Sequence, residues 1–284
     1  MIVTKEKRSL FTDYGDKLFA RLKRGIQIMR EPHIHTGYEL YFCPEDITQR
    51  SVICGIGYEH SYPTVILSKP YTIHSMSCLE SCTTDYRRYV VYFSEQTVSE
   101  LGINLFPNDI FDGKMGLLFK ITPDEAEYLE SVMGFFFNDD RPLTESEQKL
   151  LLSFFLHKLY GFAKDGGIIG VGTSSYYVQN VLKYISKHFS ENIDSAHLAS
   201  AFSVSRSKLD RDFKNAIGET PKTFIESCRL TYAKKLLSSD DNAKISEIAE
   251  LCGFASDTYF YRFFRKHTGL TPIEYKKKQA RKEF

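Results

Sequence analysis

Ser256–Pro272 reads SDTYFYRFFRKHTGLTP, and Ser205–Pro221 reads SRSKLDRDFKNAIGETP. At a displacement of 51 positions, Ser205 answers Ser256, Leu209 answers Phe260, Arg211 Arg262, Phe213 Phe264, Lys214 Arg265, Gly218 Gly269, Thr220 Thr271 and Pro221 Pro272. The chain therefore contains an internal repeat. Each copy opens on a serine suited to a helix N-cap, with an apolar residue before it to staple onto one inside the helix: Val204 with Leu209, Ala255 with Phe260. Each helix ends at a glycine suited to the left-handed C′ position, and Thr-Pro opens the next helix. Leu209 and Phe213, or Phe260, Phe263 and Phe264, make an apolar back, while Arg211, Lys214, Arg262, Arg265 and Lys266 are left for the front. A small helix of this kind suits a DNA groove.

Outward from the repeat, 284 residues suggest two domains, and 42% hydrophobic with 26% charged residues indicates a globular chain. The net charge of +1 conceals an asymmetry: residues 176–284 hold 19 Lys and Arg against 13 Asp and Glu, leaving 18 against 23 for the remainder. The basic end is the candidate for binding a polyanion. Met1–Leu10 has Lys5, Lys7 and Arg8 with no apolar run behind them, so no signal peptide is expected, and Leu150–Leu156 is too short to span a membrane. The six cysteines form no CxxC pair and read as buried free thiols of a cytoplasmic protein.

Residues 1–120 read as β structure. Runs rich in β-branched and aromatic residues predict strands at Ile26–Arg30, Glu39–Cys43, Arg50–Cys54, Thr64–Ser68, Thr72–Met76 and Arg88–Phe93, spaced as in an antiparallel barrel. His33, His35 and Glu39, followed by His74, resemble the HxHxxxE metal motif of the cupin barrel. Two imidazoles and a carboxylate on a strand pair suit Fe, Mn or Zn. The preferred expectation is a polar pocket lining or hydrogen-bonded structural histidines, with no metal and no cofactor.

Residues 121–164 change to a helical period. Thr122-Pro123-Asp124-Glu125 and Thr144-Glu145-Ser146-Glu147 are capping boxes. The helix after the second, with Leu150, Leu151, Phe154, Phe155, Leu159 and Phe162, is apolar on more than one face. Packing on the barrel accounts for part of this, and a second subunit for the rest. Residues 165–175, with Gly166, Gly167, Gly170 and Gly172, read as a linker. Residues 176–284 then read as helices throughout.

Leu198-Ala199, Val204-Ser205, Leu209, Arg211, Phe213-Lys214, Gly218, Thr220-Pro221, Arg229-Leu230, Ile248-Ala249, Cys252-Gly253-Phe254, Ser256, Phe260, Arg262, Phe264-Arg265, Gly269 and Thr271-Pro272 together resemble the AraC/XylS family of transcription regulators. The resemblance implies an α+β multidomain chain: a cupin-like ligand-sensing barrel, a helical pair for dimerisation, and an all-α double helix-turn-helix joined by one long helix. It places Ser205, Ser207, Lys208, Asp210 and Arg211 of the first helix, and Ser256, Asp257, Thr258, Tyr261 and Arg262 of the second, against double-stranded DNA. Arg211 and Arg262 would read guanine or clamp phosphate; Asp210 would accept from a cytosine amino group, or it or Asp212 would pair with Arg211 or Lys208. His33, His35, Glu39, Tyr41 and His74 would line the pocket for a small polar effector such as a sugar. The further partners implied are RNA polymerase and a second copy of the chain; no membrane association and no catalytic residue are expected. Two other readings stay open: a metal-dependent cupin enzyme fused to a DNA-targeting module, and a repressor that needs no ligand.

Overall fold

The computed structural model describes residues 11–12, 18–25, 29–78, 87–101, 111, 113–137, 141–162, 167–173, 176–239 and 243–280. The chain divides into two compact units, one of residues 14–174, the other of residues 1–13 together with 175–284. Along the chain, β1 (Phe11–Thr12) belongs to the second unit. The first holds β2 (Phe19–Arg24), β3 (Met29–His35), β4 (Tyr38–Cys43), β5 (Thr48–Ile53), β6 (Ile56–Ser61), β7 (Thr64–Ser68), β8 (His74–Cys78), β9 (Arg87–Phe93), α1 (Glu95–Glu100), β10 (Lys114–Lys120), α2 (Pro123–Gly134), α3 (Glu145–Phe162) and β11 (Ile168–Thr173).

The expected barrel takes the form of two antiparallel sheets. One has the order β11-β10-β7-β4-β9-β2, and in the other β3, β8, β5 and β6 are neighbours in that order. Strand β4 shows how the layers arise. Its side chains alternate: Leu40 and Phe42 pack with the helices, whereas Tyr41 and Cys43 join Ile53 and Met76 of the other sheet. With both faces covered, the strand is a near-continuous buried run. Helices α2 and α3 start where their capping boxes place them: Thr122 and Glu125 exchange hydrogen bonds of 2.7 and 3.3 Å, Thr144 and Glu147 of 2.8 and 3.3 Å. Leu152, Phe155, Leu156 and Leu159 are buried against the sheet, while Leu150 and Phe154 stay exposed.

Four expectations change. The predicted linker contains β11, which pairs with β10 and buries Val171 completely. Its glycines permit the approach: a Cβ at Gly170 would lie 2.6 Å from Lys114 Cγ, and one at Gly172 2.7 Å from Ile53 Cγ2. Strands β2, β6 and β10 also form outside the predicted runs. Residues 1–13 group with the helical unit, where Phe11 packs edge-on against Phe224 at 5.5 Å and its carbonyl accepts from Thr231 Oγ1 at 2.9 Å. Finally, Cys43, Cys54, Cys228 and Cys252 are free thiols, but Cys78 is disulfide-bonded. The expected strand residues 26–28 lie outside the described residues.

The second unit continues with α4 (Tyr176–His188), α5 (Ser195–Ala201), α6 (Arg206–Ile217), α7 (Pro221–Ser239), α8 (Ile245–Leu251), α9 (Asp257–Thr268) and α10 (Pro272–Ala280). Helix α7 serves two cores. Phe224 near its start stacks edge-on with Phe213 of α6 at 5.7 Å, and Leu230, Ala233 and Leu237 further along join Ile248, Phe260 and Phe264. The turns before α6 and α9 share one hydrogen-bond pattern: Val204 N donates to Ala199 O, and Phe254 N to Ala249 O, each at 3.0 Å. Ser203 (φ 53°) and Gly253 (φ 76°) take the matching left-handed position. The extra residue of the second copy is therefore Ala255, between the turn and the cap of α9.

Two substitutions test this packing by equilibrium denaturation. Phe155, fully buried and 5.8 Å from the ring of Phe42, is expected to cost roughly 3–5 kcal/mol as Phe155→Ala. At Gly253 a Cβ would stand 2.3 Å from Ser190 O, so Gly253→Ala is expected to lose about 2 kcal/mol or more, whereas Ser203→Gly changes stability by less than about 1 kcal/mol.

Candidate functional site

Helices α6 and α9 begin and end alike. Ser205 Oγ accepts from Lys208 N at 3.2 Å and Ser256 Oγ from Tyr259 N at 3.3 Å, and both helices stop at a left-handed glycine, Gly218 or Gly269. Leu209, Phe213, Phe260, Phe263 and Phe264 are buried. Of the residues expected to face DNA, Ser205, Ser207, Lys208 and Arg211, and in the second copy Ser256, Asp257, Thr258 and Arg262, are exposed; Asp210 and Tyr261 are half-buried.

The acids of α6 divide between partners. Asp212 takes Lys208 and, at 3.4 Å, Arg211 Nε; Asp210 faces Arg206 Nε at 3.8 Å. Exposed pairs of this kind contribute little to stability, so their cations can be exchanged onto a phosphate. Arg206, whose side chain is 71% exposed, is a front-face residue that the sequence reading passed over, although the repeat sets it opposite Asp257. A cleft of about 690 Å³ is lined in part by Arg206, Arg211, Lys214 and Lys222, with Asp194, Asp210 and Glu226 also on its wall. Arg229 also borders it, but its guanidinium is committed to the end of α4, donating to Phe189 O at 2.7 Å and Glu191 O at 2.9 Å.

In the first unit, His33 and His35 on β3, Glu39 on β4 and His74 on β8 converge, with one donor atom from each lying within 4.8 Å of the others. His33 and His74 are cross-strand partners, and Glu39 enters from the other sheet across the β3–β4 turn. Glu39 Oε2 is 3.2 Å from His35 Nε2 and 3.9 Å from His33 Nε2, and Oε1 is 3.2 Å from His74 Nε2. Burial alone would raise the Glu39 carboxyl, but the charge of His74 and hydrogen bonds from the three imidazoles hold it well below the usual carboxylate range. Burial likewise opposes the charged form of His74, and Glu39 reverses this, so its pKa rises; at His33 burial prevails and the pKa falls. Tyr41 does not join the cluster. Its hydroxyl donates to Gln49 Oε1 at 2.6 Å, and the cavity it lines with Glu39, Lys23 and Arg88 measures about 10 Å³, room for one water-sized particle.

Comparison with known proteins follows this division. Residues 198–278 match the family model of a helix-turn-helix domain. An uncharacterised HTH-type transcriptional regulator, YisR, of Bacillus subtilis is 35% identical over 100 residues, which are 35% of this chain and 34% of that protein. The xylose operon regulatory protein of Escherichia coli is 36% identical over 99 residues, 35% of this chain and 25% of that one. The matched region thus spans about a third or less of these relatives. Over the whole chain the fold resembles ToxT from Vibrio cholerae: one structure has a TM-score of 0.51 at 19% identity, covering 91% of this chain and 97% of ToxT. A second, with unsaturated fatty acid bound, has 0.51 at 18%, covering 92% and 94%. Among the described residues no helix is long and apolar enough to cross a membrane. The doubled helix-turn-helix and the matches across it are consistent with a regulator of the AraC/XylS family.

Proposed function

We propose that the protein is a transcription regulator that binds double-stranded DNA sequence-specifically, with the β-rich unit as its sensor. The observation that carries this reading is the matched pair α6 and α9: each has a sealed apolar back, a serine cap and a cationic front, and both pack on α7. Paired elements of this geometry suit successive major grooves. Arg211 and Arg262 are the base-reading candidates, and Ser205 and Ser256 present helix N-termini to phosphate. Arg206, Lys214 and Lys222 add cations to the wall of the cleft, beside Asp194, Asp210 and Glu226, and a phosphodiester backbone is the ligand we assign to these cations.

The sensor role is supported by the fold shared with fatty-acid-bound ToxT. An effector of metabolite size enters beside Tyr41 only if the side chains there rearrange, because the cavity is far smaller than such a molecule. Binding then shifts the protein between arrangements through its different affinity for each. Tyr128, Phe135, Leu150 and Phe154 expose apolar surface on α2, the turn after it and α3, and a second copy of the chain is the cover we assign to them.

The test is titration of the full-length protein with DNA selected from its own genome, at several salt concentrations. Affinity is expected to fall steeply with salt. Arg262→Ala is expected to cost roughly 1–3 kcal/mol on the selected site and much less on unrelated duplex if the contact is to a base; an equal loss on both, with a salt slope lower by about 1, makes it a phosphate contact. Failure to select any duplex sequence would overturn the proposal.

A further inference from the structure

We propose that Arg229 is a positioning residue: it locks the angle between the two helix-turn-helix copies and thereby sets the spacing of DNA half-sites that the pair accepts. The consequence for spacing rests on the proposed DNA-binding function, whereas the lock itself stands on contacts within the second unit.

Helix α7 alone does not fix that angle. The first copy packs near its start through Phe224, and the second packs further along through Leu230, Ala233 and Leu237. Both attachments are apolar, and apolar attraction has no direction of its own. A second attachment, away from the helix axis, is what removes rotation. Residues 189–191 supply it.

This segment follows α4, which belongs with the first copy: Tyr184 meets Phe202, at the end of α5, edge-on at 5.7 Å. Two side chains of α7 hold the segment. Arg229 donates from Nε to Phe189 O at 2.7 Å and from Nη2 to Glu191 O at 2.9 Å, and the ring of Tyr232 meets that of Phe189 edge-on at 5.4 Å. The segment is closed on itself as well, with Glu191 N donating to His188 O and Ile193 N to Glu191 O, each at 2.9 Å. Carbonyls past the end of a helix carry the negative pole of its dipole, so a guanidinium is their complement.

The second copy rests on the same segment. At Gly253, in the turn before α9, a Cβ would stand 2.3 Å from Ser190 O, so the turn lies there with bare backbone. The guanidinium of Arg229 sits 5.7 Å over the ring of Phe254, and that ring is 5.0 Å from both Phe260 and Phe263 of α9. One side chain thus grips the end of α4 with its donors and supports α9 with its flat face. A planar fork does both at once; the point charge of a lysine does not.

The repeat shows that Gly253 serves this contact and not the turn alone. Ser203 takes the matching left-handed position in the first copy, with φ 53° against 76°, and carries an exposed side chain there. The turn therefore tolerates a Cβ, and the position of Ser190 O is what forbids one in the second copy. The cleft draws its walls from both copies, Arg206 and Arg211 from α6 and Tyr259 from α9, with Arg229 and Phe254 between them in the chain. Inserting one base pair moves a half-site by roughly 3.4 Å along the duplex and about 35° around it. A locked pair meets that change only by deforming the DNA, whereas an unlocked pair follows it.

Two measurements on the full-length protein test this with Arg229→Lys and Arg229→Met. Without DNA, paramagnetic labels carried by unnatural amino acids at the exposed positions Ser207 and Thr258 report the distance between α6 and α9. One narrow distribution is expected for the wild type, and one about twofold broader or more for both variants. With DNA, affinity is measured for a selected duplex and for versions with one base pair inserted or deleted between the half-sites. The wild type is expected to lose roughly tenfold or more at each altered spacing, and the variants only about twofold to threefold. Circular dichroism checks folding, and Arg229→Lys, which keeps the charge and the stem, keeps the test decisive if Arg229→Met misfolds. An unbroadened distance in the folded variants, or an undiminished spacing penalty, overturns the proposal. So does an equal loss of affinity at every spacing, which makes Arg229 a phosphate contact. If the wild type selects no duplex, the spacing claim falls with the DNA-binding reading, and the distance measurement still decides the lock.

Discussion

Strand β4 is buried on both faces, and that constraint organises the first unit. A side-chain period of two sends Leu40 and Phe42 to the helices and Glu39, Tyr41 and Cys43 to the other side. A slip of one residue would exchange a carboxylate with leucine and phenylalanine across the sheet. The apolar side chains therefore hold the acid in place, although none of them touches its chemistry. Burying a carboxylate is unfavourable unless it is paired, and the three imidazoles supply the pairing. Packing and polarity are consequently satisfied by one register.

In the second unit the corresponding dependence falls on α7. Phe224 at one end closes the first core, and Leu230, Ala233 and Leu237 close the second. Neither helix-turn-helix is complete without it. Arg229, by holding the carbonyls of Phe189 and Glu191, ties the same helix to the end of α4. The front faces of α6 and α9 are left to charge because their backs are fully occupied.

Features written locally could be read from sequence. The caps at Thr122, Ser205 and Ser256 and the glycine stops at Gly218 and Gly269 are each set by a few adjacent residues, and the structure has them where the sequence implies. Strand β11 was hidden because glycines weaken the strand pattern; their role emerges only beside Lys114 and Ile53. The place of Phe11 depends on Phe224, far along the chain, which no local pattern announces. In the candidate cluster, HxH puts His33 and His35 on one side of a strand, but the meeting with Glu39 from the other sheet is a tertiary fact. Tyr41 shares the face of Glu39, as its spacing suggests, yet it turns to Gln49. Arg206 was legible and passed over: the repeat that singled out Asp257 also marks its counterpart.

The two copies follow one another along a single chain, and Ala255 makes even their turns unequal. Such a tandem has no two-fold axis, unlike the symmetric pairs formed by identical subunits. It therefore has a head and a tail. A duplex engaged by it is read in one orientation, and reversing the sequence is not equivalent to leaving it alone. Polarity along the nucleic acid is thus built into one polypeptide before any second copy is considered.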